Sequence, residues 1–305
     1  MRIVRGLPPV PPETPPSAVA LGVFDGVHLG HRAILGLAVA SAGAADMRSV
    51  ACTFDPHPVE VLQPGRAPLL ITTLEERLAL IEGCGLDEAV VLPFTRDLAS
   101  MEPEAFVKDV LVARLGARDV VVGFNHRFGR GARGDAGLLA SLGARLGFRT
   151  QVAEPLLVDG VAVSSTEIRG ALQRGDIAVA TRLLGRMYTL SGTISHGAGR
   201  GRTLGFPTAN LVPTRSVLVA TGVYACTAEL DGRKERAVVN VGVRPTFGEV
   251  ALAVEAYLLD FSSDIYGQTM TLSFASRIRE ERRFPSVDAL RAQIEADALE
   301  ARRRL

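Results

Sequence analysis

The order in which strand-like and helix-like segments follow one another constrains this chain most. Through the first half, short β-rich runs alternate with amphipathic helical patterns. Strands are expected at 18–24, 49–54, 89–92, 119–123 and 150–153, and helices near 31–41, 74–84, 103–115 and 136–146. Such alternation predicts an α/β module with a doubly wound parallel sheet, whose ligands bind beyond the carboxyl ends of its strands. After a short helical stretch at 177–184 the rhythm changes. Strands at 188–194, 223–230, 237–241, 253–260 and 269–275 then succeed one another without helices, and Asp231-Gly232 reads as a hairpin turn. An antiparallel barrel or sandwich is expected there. A final helix follows, capped by Ser286, with Val287, Leu290 and Ile294 on one face and Arg302–Arg304 near the negative end of its dipole. At 305 residues the chain exceeds one small domain, and the boundary is expected near Gly185, giving modules 1–184 and 185–305.

Composition narrows the function. A formal net charge of +1 lacks the basic excess that a polyanion partner demands, so nucleic acid is a poor candidate. The three cysteines, Cys52, Cys84 and Cys226, form no Cys-x-x-Cys pair, which argues against a zinc knuckle or a disulfide framework and for a reducing cytoplasm. No stretch approaches the ~20 apolar residues that span a bilayer.

The segment Gly22-Val-Phe-Asp-Gly-Val-His28-Leu-Gly30-His31 leaves the first strand and enters the first helix. Gly30 lets backbone approach a ligand, and a helix start offers N–H groups and a positive dipole end to phosphate. His28 and His31 there suit hydrogen bonding to an α-phosphate during attack; the plainer readings are a helix cap or a metal pair. The five histidines are His28, His31, His57 in Thr-Phe-Asp55-Pro-His57-Pro, His126 in Asn125-His126-Arg127-Phe-Gly129, and His196. Four of them follow strands of the first module. Ser164-Ser165-Thr166-Glu167-Ile-Arg169 has the Ser-x-x-Glu spacing of a capping box, so it starts a helix, and its hydroxyls and guanidinium also suit phosphate.

In the second half, no Gly-x-x-x-x-Gly-Lys-Ser/Thr loop exists, since the only lysines are Lys108 and Lys234. Instead Gly197, Gly199, Gly201 and Gly205, with Arg200 and Arg202 among them, form a loop whose backbone can wrap phosphate, or simply a flexible connection. Pro207-Thr208-Ala-Asn210 follows at once. Thr208 and Asn210 supply two hard oxygens suited to Mg²⁺ carrying nucleotide phosphates, unless they only close a turn. Glu255 sits within the apolar run Val254–Phe261 and is a candidate general base; an exposed edge-strand carboxylate is the plainer reading.

Taken in order, these motifs resemble bacterial bifunctional riboflavin kinase/FMN adenylyltransferases. The first-half motifs resemble the adenylyltransferase part. Leu184-Gly-Arg-Met-Tyr188, the glycine loop with Pro-Thr-Ala-Asn210, Gly222-Val-Tyr224-Ala, Asn240-Val-Gly-x-Arg-Pro-Thr-Phe247, Glu255 and Arg277-Ile-Arg279-x-Glu281-x-x-Phe284 resemble a complete riboflavin kinase domain. The resemblance implies that His28, His31, Asn125, Ser164, Ser165, Thr166 and Arg169 line an ATP phosphate site. It also implies a small β-barrel in which the glycine loop, Thr208 and Asn210 hold Mg-ATP and Glu255 is the base. The implied partners are riboflavin, FMN, FAD and ATP. A rival from another class is a non-catalytic flavin carrier or sensor, which has no need of Glu255 or the paired histidines.

Overall fold

The computed structural model describes residues 1–10, 14–196, 201, 205–245 and 250–305, and the chain divides into two compact units, Met1–Ser164 and Ser165–Leu305. In the first, six parallel strands lie in the order β1-β4-β3-β2-β5-β6: β1 Arg2–Arg5, β2 Ser17–Leu21, β3 Arg48–Asp55, β4 Glu88–Pro93, β5 Ala117–Gly123 and β6 Arg149–Ala153. The helices are α1 Leu29–Ala44, α2 Pro58–Leu62, α3 Leu74–Glu82, α4 Arg96–Ser100, α5 Pro103–Ala105 and α6 Ala136–Leu146. Successive side chains of a strand face opposite ways, and the core follows that rule. Val19, Leu21, Val50, Cys52, Val120 and Val122 pack with Phe106, Val110, Leu111 and Leu139. Their alternates Ala20, Ala51, Ala89, Val91 and Val121 pack with Leu35 and Ala38 of α1 and with Leu78 and Ile81 of α3. Two-sided burial of this kind is what makes the sheet doubly wound.

Strand order reverses at β2, which has β3 on one side and β5 on the other. The ligand-accepting crevice of such a sheet lies there, so the segments after β2 and β5 flank it. Two details depart from expectation. β1 is an edge strand that the sequence pattern does not announce. The helix expected over 103–115 is α5 running into a π-type stretch, Phe106–Val112. A small hairpin, β7 Leu157–Val158 with β8 Val161–Ala162, turns on Asp159 and Gly160, both at positive φ.

The second unit begins with α7 Ser165–Arg174 and α8 Ile177–Leu184, then closes six antiparallel strands into a barrel, β10-β13-β12-β11-β14-β9. The strands are β9 Tyr188–Ser195, β10 Ala209–Pro213, β11 Gly222–Leu230, β12 Arg233–Pro245, β13 Val250–Leu258 and β14 Thr269–Arg279. Closure settles the expectation of barrel or sandwich in favour of the barrel. Tyr188, Leu190, Tyr224, Cys226, Val239, Leu272 and Phe274 are buried, and the rings of Tyr188 and Tyr224 sit 5.6 and 5.3 Å from that of Phe274. Asp231 and Gly232, both at positive φ, form the expected hairpin turn.

Helix α9, Val287–Arg304, starts where expected, with Ser286 Oγ accepting from Ala289 N at 3.1 Å. Its packing face is not the expected one. Val287 is 60% exposed, and the buried positions are Asp297, Ala298 and Ala301, of which the two alanines cluster with Val223, Ala225, Val238 and Leu259. Small alanines bring this end of the helix close to the barrel. Asp297 then takes a bidentate hydrogen-bonded pair from Arg279, with Nη2 at 2.7 Å and Nε at 3.0 Å. Arg302 pairs with Asp260, and Arg303 and Arg304 pair with Glu300.

Candidate active sites

Beyond β2 the chain turns through Phe24, Gly26 and Val27, all at positive φ, before entering α1. His28 is the N-cap of α1: its Nδ1 accepts from His31 N at 3.2 Å, and the two imidazoles stack with centroids 3.6 Å apart and planes 16° apart. The helix-cap reading therefore holds for His28. Because Nδ1 accepts, the neutral ring carries its proton on Nε2, and a cap that fixes the ring also fixes that donor. Phe24 meets His31 edge-on at 5.4 Å. A Cβ at Gly30 would lie 3.3 Å from the His28 ring, so this glycine accommodates the imidazole itself.

His57 caps α2 in the same manner, its Nδ1 accepting from Val59 N at 3.2 Å. Beyond β5, Asn125 is exposed and precedes His126, whose ring lies 20° from the plane of Phe128 at 5.8 Å. His126 Nε2 is buried with no hydrogen-bond partner among the described residues, and burial pulls its pKa from 6.5 down to about 4. His126 is thus neutral at physiological pH and suited to packing rather than to phosphate. Gly129, at positive φ, lies where a Cβ would meet Pro103 at 2.7–2.9 Å.

Helix α7 opens with Ser165 and Thr166 and carries Arg169 one turn on, with Ser164 directly before it. The expected helix start is therefore present. Thr166 is exposed, and Ser165 and Arg169 are half-buried.

The barrel brings several second-half candidates into one line. Asn210 on β10 is in register with Ser195 on β9 and with Glu255 on β13, and Glu255 is in register with Asn240 on β12. Residues directly opposite in antiparallel pairs share a face, so Ser195, Asn210, Glu255 and Asn240 form a polar row across four strands. Asn210 is 8% exposed and Glu255 is half-buried. Glu255 is therefore not on an exposed edge, since a closed barrel has none. Thr208 immediately precedes β10. A Cβ at Gly201 would lie 3.0 Å from Thr208 Oγ1, and Phe206 N donates to Gly201 O at 2.8 Å, so this glycine admits the close return of the loop. Gly205 has φ +91°. Gly197, Gly199, Arg200 and Arg202 lie outside the described residues. Thr208 also lines a cavity of about 360 Å³ with Pro207, Ala256, Leu258, Phe261 and Tyr266. Among the described residues no group of three or more His, Cys, Asp or Glu side chains could hold a metal.

Both halves match known families. Residues 10–167 match the FAD synthetase family and residues 184–305 the riboflavin kinase family. A bifunctional riboflavin kinase/FMN adenylyltransferase from Pseudomonas fluorescens is 38% identical over 99% of this chain and 97% of its own. This chain belongs to the bifunctional riboflavin kinase/FMN adenylyltransferase family. A relative of the same description from Escherichia coli K12 is 37% identical with the same coverage. A solved structure described as a macrolide-efflux protein from Streptococcus pneumoniae superposes with a TM-score of 0.90 at 32% identity, over 99% of both chains. Efflux is said of that protein alone. In the present chain no described helix is long and apolar enough to cross a membrane.

Sequence reasoning assigns no role to some residues that hold the family's motifs in place. Asp25, 3% exposed, accepts from Ile71 N at 3.0 Å and from Thr72 N and Oγ1 at 3.1 Å, while Gly26 N donates to Thr72 Oγ1 at 3.0 Å. The carboxylate thereby clamps the turn ahead of His28. Arg77, its pKa lowered chiefly by burial, donates to Val23 O at 2.7 Å, and Thr53 Oγ1 donates to the same carbonyl at 2.9 Å. A carboxylate inside the otherwise apolar motif Phe24-Asp25-Gly26 is the available signal, because a buried charge requires partners. In the barrel, Arg277 donates to Thr221 O at 2.6 Å and packs over Gly175 and Gly222, where a Cβ would lie 2.9 and 2.8 Å from its side chain.

Proposed function

We propose that this chain makes FAD from riboflavin in two ATP-dependent steps: riboflavin and ATP give FMN and ADP, then FMN and a second ATP give FAD and pyrophosphate. The observation that carries this reading is the pair of adjacent family matches, joined in the same order in full-length relatives of the bifunctional name. A non-catalytic carrier is not favoured, because Glu255 and the histidine pair are both retained.

In the kinase step Glu255 takes the proton of the terminal ribityl hydroxyl as its oxygen attacks the γ-phosphorus of ATP. Its half-buried position beside the Asn210 and Asn240 positions suits a base kept close to neutral donors. Thr208 and Asn210 fit Mg²⁺: a hydroxyl and an amide carbonyl are hard oxygen donors, and Asn210 is held in register with the base. When bound, the cation neutralises charge developing on the phosphoryl oxygens. The glycine loop cradles the phosphates, and the cavity beside Thr208 has room for the base of the nucleotide.

In the adenylyl step an FMN phosphate oxygen, already ionised at neutral pH, attacks the α-phosphorus of ATP and pyrophosphate leaves. His28 and His31 hold hydrogen bonds to the α-phosphate, with the start of α1 adding its dipole. Ser164, Ser165, Thr166 and Arg169 contact ATP phosphates, and Asn125 contributes from the end of β5. The cytoplasm is the assigned compartment, on the ground that the three thiols are free and two of them fully buried.

The test is incubation with riboflavin, ATP and Mg²⁺, followed by chromatography. FMN should appear first and FAD after it. Absence of both products would sink the reading, and FMN without FAD would remove the second activity.

A further inference from the structure

We propose that Arg77 and Thr53 are positioning residues for adenylyl transfer: together they fix the Val23 carbonyl, and so hold a strained turn in the shape that stacks His31 on His28. The proposal rests on the FMN-adenylyltransferase reading of the first unit. It starts from strain. Phe24 has φ +56° and Val27 has φ +37°, and neither a bulky aromatic nor a β-branched side chain accepts the left-handed region readily. Such residues persist only where their surroundings over-determine them. Both are fully buried here, and the segment between β2 and α1 is braced at Val23 as well as at Asp25. Arg77 Nη1 from α3 donates to Val23 O at 2.7 Å and Thr53 Oγ1 from β3 donates to it at 2.9 Å, which engages both lone pairs of that carbonyl.

Phe24, next in the chain, carries the constraint onward. Its ring lies back over Gly22, where a Cβ would come within 2.9 Å of it, and meets His31 edge-on at 5.4 Å. His31 in turn stacks on His28 and donates its backbone N–H to Nδ1 of that ring. A rotation at Val23 therefore reaches both imidazoles through packed contacts. Arg77 is a costly device if stability alone is served. Its guanidinium is buried, its Nε has no hydrogen-bond partner among the described residues, and its ion pair with the exposed Asp55 is long at 3.7 Å. An apolar side chain of similar volume fills such a space at lower cost, so the carbonyl that Arg77 grips accounts for the charge.

The experiment compares the full chain with its variants Arg77→Met, Arg77→Lys and Thr53→Val. It measures kcat and KM for FMN and for ATP in FAD formation. It also records the ring ¹⁵N signals of the five histidines at a pH where the rings are neutral, since a locked tautomer differs there from an averaged one. For Arg77→Met kcat should fall roughly 10- to 100-fold, the scale of a small misplacement of the groups that face the reaction. Both KM values should change little, as for a contact made only in the transition state. Thr53→Val, close to Thr53 in shape, should lose less, and Arg77→Lys, which keeps a charged donor, should recover part of the loss. The His28 ring, held with its proton on Nε2 in the parent chain, should average its tautomers in Arg77→Met. Riboflavin phosphorylation should be unaltered in every variant. Unchanged kcat in both Arg77→Met and Thr53→Val, KM values that rise in step with the fall in kcat, or slowed turnover with an unchanged His28 signal would overturn the proposal. Should Arg77→Met not fold, Thr53→Val and Arg77→Lys decide. A parent chain that makes FMN but no FAD would instead refute the underlying adenylyltransferase reading.

Discussion

At the residue scale the two sites make separable demands. Replacing His28 and His31 together with alanine should lower FAD formation from FMN by at least about 10²-fold, the cost of losing a preorganised donor to a developing charge, while FMN formation from riboflavin persists. Product chromatography with each substrate supplied separately checks both halves. Glu255→Gln should do the converse, slowing the kinase by roughly 10²–10⁴-fold with little effect on FAD made from supplied FMN. A near-normal kinase rate would return Glu255 to being an ordinary strand carboxylate. His126 contributes to stability in a pH-dependent way. Its folded pKa is depressed from 6.5 to about 4, chiefly by burial, so the unfolded chain binds a proton first as pH falls. Stability from this group is therefore complete above about pH 6.5 and is lost as pH drops toward 4, by roughly 3 kcal/mol at most. His126→Phe, which cannot titrate, should flatten that part of the profile in denaturant titrations at pH 7, 5.5 and 4.5.

At the element scale, the alternation of strands and helices exposes most of the framework, because a doubly wound sheet writes its burial into apolar runs such as those of β2, β3 and β5. The misses have physical causes. β1 is short and carries Arg2 and Arg5, as an edge strand can, and so lacks an apolar run. β10 contains Asn210 and ends on Pro213, residues that read as turn, and barrel closure rather than propensity makes them a strand. The paired histidines, Thr208, Asn210 and Glu255 are legible because their residue types are uncommon in those settings. Asp25 shows in the sequence only as a carboxylate in an apolar motif; nothing there tells that Ile71 and Thr72 come to meet it. For α9 the pattern of large apolar residues misleads, because close packing uses alanines and an ion pair. Asp297→Ala strands Arg279 and should destabilise the second unit by about 3 kcal/mol, the lower end for a broken buried pair because Arg279 retains some contact with water. Urea unfolding should show the loss, and adding Arg279→Met should recover part of it.

At the scale of the whole molecule, the compact second unit starts at Ser165, ahead of the Gly185 at which the kinase was expected to begin. Helix α8 buries Ile177, Ala180, Leu183 and Leu184 and packs against β9 and β14, and Ala220 N donates to Leu172 O of α7 at 3.0 Å. A fragment from Ser165 to Leu305 should therefore fold cooperatively and phosphorylate riboflavin without making FAD, and a fragment from Gly185 should melt at a lower temperature. Thermal denaturation followed by an FMN assay distinguishes the two; equal melting points would show that α7 and α8 add nothing to the barrel. The cysteines give this architecture an internal clock. Cys52 lies in β3 of one unit and Cys226 in β11 of the other, both fully buried, with burial pushing the first thiol up to about 12 and the second well above 9.0. Neither can become a reactive thiolate until its own unit opens. Alkylation of Cys52 and Cys226 followed peptide by peptide thus times the opening of each catalytic module independently in the intact chain.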